Sequence, residues 1–228
     1  MNRKKIYPLY LALIPAVVFF IFFIVPSTVG YYYAFTNWSA ARTTNLKFVG
    51  FDNIMSVLSS TKVPVAFVNT LIYAGVKTVT VTLLGFVFAY ILNREIKTRT
   101  ALRTVYFIPV VISSMVIGQL WLKMFNNDYG VINTVVRYFN PKYEHSWLTK
   151  DAFMTVLIPS IWQYIGYHMI IFYAGIKSIS TDYYEAAQID GASTLQVHMK
   201  ITLPLLVPVI KTCVIFAITG SLRAFDLV

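Results

Sequence analysis

The chain has 228 residues, of which 57% are hydrophobic and only 12% charged, and its formal net charge is +10. A soluble domain needs more polar surface than that to cover its core, so the composition excludes an ordinary globular domain and points to an integral membrane protein. The basic residues are scattered among apolar runs and form no single stripe, which argues against nucleic acid and for loops lying beside lipid.

A helix needs about 20 mostly apolar residues to cross the hydrocarbon, and five candidates follow in chain order. The first lies within residues 6–41, since no charge occurs between Lys5 and Arg42; its length and its continuation into VPSTVGYYYAFTNW mark a retained anchor, not a cleaved signal peptide. The second covers 64–92, interrupted by Lys77, and the third 104–122. The fourth covers 152–176 and the fifth 203–222, with Lys211 inside it. Pro15, Pro26, Pro109, Pro159 and Pro208 fall in or at the ends of these spans, where neighbouring helices satisfy the backbone groups they free, so kinked and packed helices are expected. The expected fold is an all-α integral membrane protein, a polytopic helical bundle. Residues 1–63 form a tail, first span and outer loop, and 64–228 the core transmembrane domain. The clusters Arg3, Lys4, Lys5 and Arg94, Lys97, Arg99, Arg103 belong in the cytoplasm, which puts the N-terminus inside. Alternation then puts 37–63 and 125–151 outside and the link between spans four and five inside.

That link contains YEAAQIDGAST, residues 184–194, a polar stretch between two greasy spans. Asp182 followed by Glu185 has the spacing of a helix cap whose third helical residue reaches back, and Ser193 followed by Gln196 repeats it. Gly191 sits between them, where a helix commonly ends in a left-handed conformation. The expectation is a helix, a glycine turn and a second helix running to Pro204. An amphipathic helix lying on the bilayer is the competing reading, but the segment has few lysines and no broad apolar face, so a protein partner is the better expectation.

The stretch EAAQIDGASTLQVHMKITLPLL resembles the signature loop of permease subunits of binding-protein-dependent ABC importers, through Glu185, Ala186, Ala187, Gly191, Ile201, Leu203 and Pro204. FVGFDN (48–53), NTL (69–71), LNR (92–94), WLKMFNNDYGVIN (121–133), AGIKSIS (174–180) and SLRAFD (221–226) look like its carbohydrate branch, of which the maltose-type permeases are members. Ser180 stands where that family has proline. The resemblance implies five of a probable six spans in 1–228, with a further loop and span beyond Val228. It implies a cytoplasmic coupling helix between spans four and five that engages an ATPase through Glu185, Ala186, Ala187, Asp190 and Gly191. It further implies a bacterial or archaeal cell membrane, a second homologous permease, two ATPase subunits that bind ATP and magnesium, an extracellular solute-binding protein, and a carbohydrate substrate.

What the sequence lacks fits that division of labour. There is no G-x-x-x-x-G-K-[ST] phosphate loop, since AGVKT at 74–78 lacks the paired glycines, so the ATPase is expected in another chain. His145, His168 and His198 lie in different segments with no motif around them, so no catalytic residue and no metal site is expected, and His168 reads as a packed helix residue. The lone Cys213 forms no pair and no metal cluster. Two other classes compete: an ion-coupled secondary transporter, disfavoured because none of the nine acids falls inside a span, and a non-transporting membrane scaffold.

Two further sites are expected. The segment 126–147, with Trp147, faces outside and is a candidate platform for the solute-binding protein, the alternative being an interfacial aromatic belt. Asn69, Tyr73 and Lys77 recur every four residues and share one helical face, expected to line a substrate path with Gln163, Tyr164 and Tyr167 on the opposite wall. The alternative is that these groups only join helix to helix.

Overall fold

The computed structural model describes residues 10–39, 46–94 and 96–223. The expectations placed on Arg3, Lys4, Lys5, Arg42, Phe225 and Asp226 lie outside the described residues. In order, the elements are α1 (Tyr10–Phe19), a π turn (Phe20–Ile24), α2 (Val25–Ala34), α3 (Asp52–Leu58), α4 (Lys62–Asn93), α5 (Arg99–Val111), α6 (Ser114–Met124), α7 (Val131–Phe139), α8 (Trp147–Lys150), α9 (Ala152–Lys177), α10 (Thr181–Ile189), α11 (Thr194–Val197), a second π turn (His198–Thr202) and α12 (Leu203–Leu222). Among the described residues the one β feature is an isolated antiparallel bridge between Thr36 and Phe48.

Both π turns have the same cause. Pro26 and Pro204 each stand two residues beyond one, and a proline ring crowds the carbonyl four residues before it while offering no N–H. Widening the turn relieves the clash: Val25 N–H donates to Phe20 O, and Leu203 N–H to His198 O, five residues back in each case. The chain therefore stays helical through both prolines.

Among the described residues three continuous helical stretches are long and apolar enough to cross a membrane: Leu11–Ala34, Lys62–Asn93 and Thr194–Leu222, of 24, 32 and 29 residues. Two expectations need correction. The third span is not one helix: α5 and α6 meet at a bend of 100°. Pro109 lies in the last turns of α5, Ile112 and Ser113 are extended (ψ 137° and 136°), and the Ile112 carbonyl freed at the break accepts from Gln163 Nε2 at 3.4 Å. The second loop helix does not stop at Pro204 but runs without interruption into the fifth span. The expected fourth span, 152–176, is a single 26-residue helix, α9, with Gln163, Tyr164, Tyr167 and His168 in its middle.

The chain divides into two compact units, residues 1–67 and 68–228. In the first, α1 carries apolar side chains outward on every side, as a helix in lipid does. Beyond α2, Asn53 Nδ2 donates to Ala34 O at 2.9 Å and Thr36 O at 2.8 Å, and Phe51 stands edge-on to Phe35, which holds α3 against the end of α2. In the second unit α9 is central, with α5, α6, α8 and α12 packed on it. Its core joins Ala89 and Leu92 of α4, Met169, Phe172 and Ile176 of α9, and Leu206 and Cys213 of α12. Small residues set these approaches, as expected where lipid offers no hydrophobic drive between helices. A Cβ at Gly85 would lie 2.7 Å from His168 Cβ, one at Gly175 would lie 2.8 Å from Val209 Cγ2, and one at Gly166 would run into the backbone of Tyr106.

Candidate functional site

The polar loop begins at Ser180, the N-cap of α10, whose hydroxyl accepts from Asp182 N–H at 3.3 Å. Asp182 is therefore not the cap expected from its spacing to Glu185; it lies in the first helical turn, where a carboxylate complements the helix dipole. Ser180 has φ −60°, the value a proline ring imposes, so serine keeps the entry angle and adds a capping oxygen. The helix closes as a Schellman motif: Ala192 N–H donates to Ala187 O at 2.9 Å, Gly191 N–H donates to Gln188 O at 3.1 Å, and Gly191 has φ 69°. The capping box that opens α11 is complete, with Ser193 N–H donating to Gln196 Oε1 at 2.8 Å and Gln196 N–H to Ser193 Oγ at 3.4 Å.

Between α10 and α11 lies a groove of about 600 Å³ lined by Asp182, Ala186, Ala187, Asp190, Gly191 and Lys200 among others. Glu185, Ala186, Asp190 and Gly191 are exposed, and Ala187 is buried. Ile189 is 87% and Leu195 71% exposed. Both are large apolar side chains left open on either side of the glycine turn. Two tyrosines tie the loop's far side to the bundle: Tyr184 Oη meets Thr202 Oγ1 at 3.4 Å, and Tyr90 of α4 hydrogen-bonds His198 Nε2. Both bonds end on the second π turn. The sequence reading missed this connection, because nothing local marks Tyr90 or Tyr184 as partners of residues so far along the chain.

The expected stripe on α4 divides. Tyr73 and Lys77 are buried, whereas Asn69 is exposed and leaves the wall. Lys77 is only 4% exposed; its Nζ sits 4.5 Å from the Tyr164 ring centroid and 5.6 Å from that of Tyr73. Taking an ammonium out of water costs several kcal/mol, and a desolvated cation–π contact returns about 2 kcal/mol. Among the described residues no carboxylate pairs with it; the ion pair found is His145–Asp151, in the loop before α9. Lys77, Tyr164, Tyr167 and His168 line a cleft of about 280 Å³ with Phe216, Thr219 and Arg223. Gln163 is buried too, but it faces the α5–α6 break, while its neighbour Tyr164 faces Lys77, so adjacent positions serve different partners. His168 Nδ1 faces Tyr164 O at 3.0 Å and Nε2 faces Cys213 O at 3.3 Å, a packed link from α9 to α12.

The loop 125–151 is built around Asn133, fully buried, which donates to Asn127 O (3.2 Å) and His145 O (2.9 Å) and accepts from Trp147 Nε1 at 2.8 Å. Arg137 donates to the carbonyls of Tyr143, Asp128 and Asn127. Trp147 is thus turned inward as an anchor of the loop, its ring tilted against Phe125 at 5.6 Å between centroids. Its open aromatic edge is Tyr138, 84% exposed, and Phe139, 80% exposed, with Tyr129.

A bundle of apolar helices, a capped polar loop with its glycine turn, and the spacing from Glu185 to Pro204 meet in one family. Residues 81–228 match the binding-protein-dependent transport system inner membrane component. The chain belongs to this family. It is 36% identical over 206 residues to a probable ABC transporter permease protein, y4oQ, of Sinorhizobium fredii, covering 89% of this chain and 66% of the relative. It is 30% identical over 221 residues to the trehalose/maltose transport system permease protein MalF of Thermococcus litoralis, covering 96% of this chain and 75% of that one. It superposes with a TM-score of 0.77 and 26% identity on a bacterial ABC transporter involved in the import of the acidic polysaccharide alginate, covering 94% of this chain and 73% of that chain. As a member of this family the chain is a membrane component of a transport system.

Proposed function

We infer that the chain is the transmembrane permease subunit of an ATP-driven importer of carbohydrates. The observation that carries this reading is the loop: a capped helix and a Schellman turn present Ile189 and Leu195 beside a groove, next to a bundle with a polar inner wall. The names of the relatives, a trehalose/maltose permease and an alginate importer, support the saccharide. In this reading the α5–α6 pair is one broken span and α9 another, which makes five spans, with the N-terminus and α10–α11 in the cytoplasm. The loop, through Glu185, Ala186, Ala187, Asp190 and Gly191, seats on one of two ATPase subunits, which bind ATP and magnesium. A second permease completes the path, an extracellular solute-binding protein delivers the sugar, and the membrane is that of a bacterium or archaeon. Closure of the ATPase pair moves the loop, and the Tyr184–Thr202 and Tyr90–His198 contacts carry that movement to α12 and α4. An ion-coupled carrier is disfavoured, since α1, α2, α4, α5, α6, α9 and α12 hold no acid for a relay.

The test is uptake by the whole complex in proteoliposomes. A labelled oligosaccharide should accumulate only with ATP inside and the binding protein outside; uptake driven instead by a proton or sodium gradient, without ATP, overturns the reading. A second measurement locates the binding protein. Photo-cross-linkers at Tyr138 and Phe139 should capture it, whereas one at Trp147 should not, because that ring is turned inward. Capture from Trp147 alone removes α7 from the platform.

A further inference from the structure

The cleft between α4, α9 and α12 has an electrostatic character that a neutral sugar does not require. Lys77 reaches it from α4 and Arg223 from the end of α12, while the rest of the lining is aromatic, aliphatic or hydroxyl. No Asp or Glu occurs in the three helices that form it. His168 is turned into the wall, both ring nitrogens facing backbone carbonyls, and offers the cleft no acceptor. Two cations thus share a volume of about 280 Å³, with no anion among the described residues that line it. The Lys77 ammonium lies 4.5 Å from the Tyr164 ring centroid, and a ring face does not neutralise a charge buried to this depth.

We propose that this cleft binds an anionic group carried by the transported saccharide, a uronic acid carboxylate or a phosphate or sulfate ester, with Lys77 as its counter-ion and Arg223 as the second donor. The proposal rests on the importer reading and names the substrate class of its path. Tyr164 and Tyr167 supply faces for the sugar ring, and the cationic pair selects the charged residue of the chain over a neutral one. In a site of low dielectric a carboxylate left without a cation is rejected strongly, so selectivity concentrates in Lys77.

The experiment compares uptake by the intact complex, with its binding protein and ATP, of an oligogalacturonate, its neutral methyl ester and a phosphorylated disaccharide. The quantity read is the ratio of kcat/KM for each acidic sugar to that for the neutral one. Wild type should favour at least one acidic sugar, and which of the two it favours identifies the source of the negative charge. Lys77→Met should lower that ratio by about tenfold or more, the scale on which losing one partner of a buried charge pair weakens binding. Lys77→Arg should restore most of it, and Lys123→Met, outside the cleft, should leave it unchanged. The proposal is overturned if Lys77→Met reduces acidic and neutral uptake equally, if it prevents assembly because an acid of the second permease pairs with Lys77, or if wild type prefers the neutral ester. No ATP-dependent uptake of any of the three sugars while another solute is carried counts against the carbohydrate reading itself.

Discussion

Gly191→Val is expected to separate ATP hydrolysis from transport, or to release the ATPase altogether. Gly191 has φ 69°, and no atom lies within 4 Å of where its Cβ would be, so the penalty is purely one of backbone conformation. The left-handed region costs an ordinary L-residue about 1–2 kcal/mol, and a β-branched one more. A valine that escapes this cost by rotating out breaks both Schellman bonds, to Gln188 O and Ala187 O, and redirects α11. The positions of Ile189 and Leu195 relative to each other are then lost. Gly191→Asn, which tolerates the left-handed region, should retain most coupling. The check is ATP hydrolysed per sugar imported, together with co-purification of the ATPase. Normal stoichiometry in the valine variant would show that the turn does not shape the contact.

Gly166→Ala should be the most damaging single methyl group in the second unit. The added Cβ would collide with the Tyr106 carbonyl, lying 2.6 Å from its carbon and 3.1 Å from Phe107 Cα, all backbone atoms of α5 that cannot rotate away. The α5–α9 packing must open, at a cost of about 1–3 kcal/mol or more, as for overpacked cores. Gly118→Ala in α6 is the matched control, because nothing lies within 4 Å of its Cβ. The alanine at 166 should lower the melting temperature of the purified complex by several degrees and reduce its yield, and the alanine at 118 should do neither. Equal behaviour of the two would mean that α5 and α9 are not in this contact in the assembled transporter.

The membrane class and the loop were legible in the sequence because their causes are local. Charge-free runs mark spans wherever they fold, and the caps and turn at Ser193, Gln196 and Gly191 are closed by partners within five residues. Even locally the reading erred where two candidates competed: Ser180 and Asp182 are both capping residues, and the extended backbone at Ser180 decided between them. The loop 125–151 was legible as a segment between helices but the direction of Trp147 was not, since that ring turns inward only because Asn133, buried by the folding of the whole loop, accepts its N–H.

The sequence by itself determined that the chain lives in a membrane, where most of its spans run, that a glycine-turned polar loop interrupts them, and which family it resembles. Only the tertiary structure decided that the helix expected as the third span is two helices meeting at 100°, that Asn69 is exposed while Lys77 is buried, and that Tyr90 and Tyr184 both end on one π turn. The physical reason is separation along the chain. A cap or a turn is settled by groups a few residues apart, whatever surrounds them. The break at Ile112 is held by Gln163, 51 residues away, and the environment of Lys77 by Tyr164 on another helix, pairings that exist only once α9 packs against α4, α5 and α12.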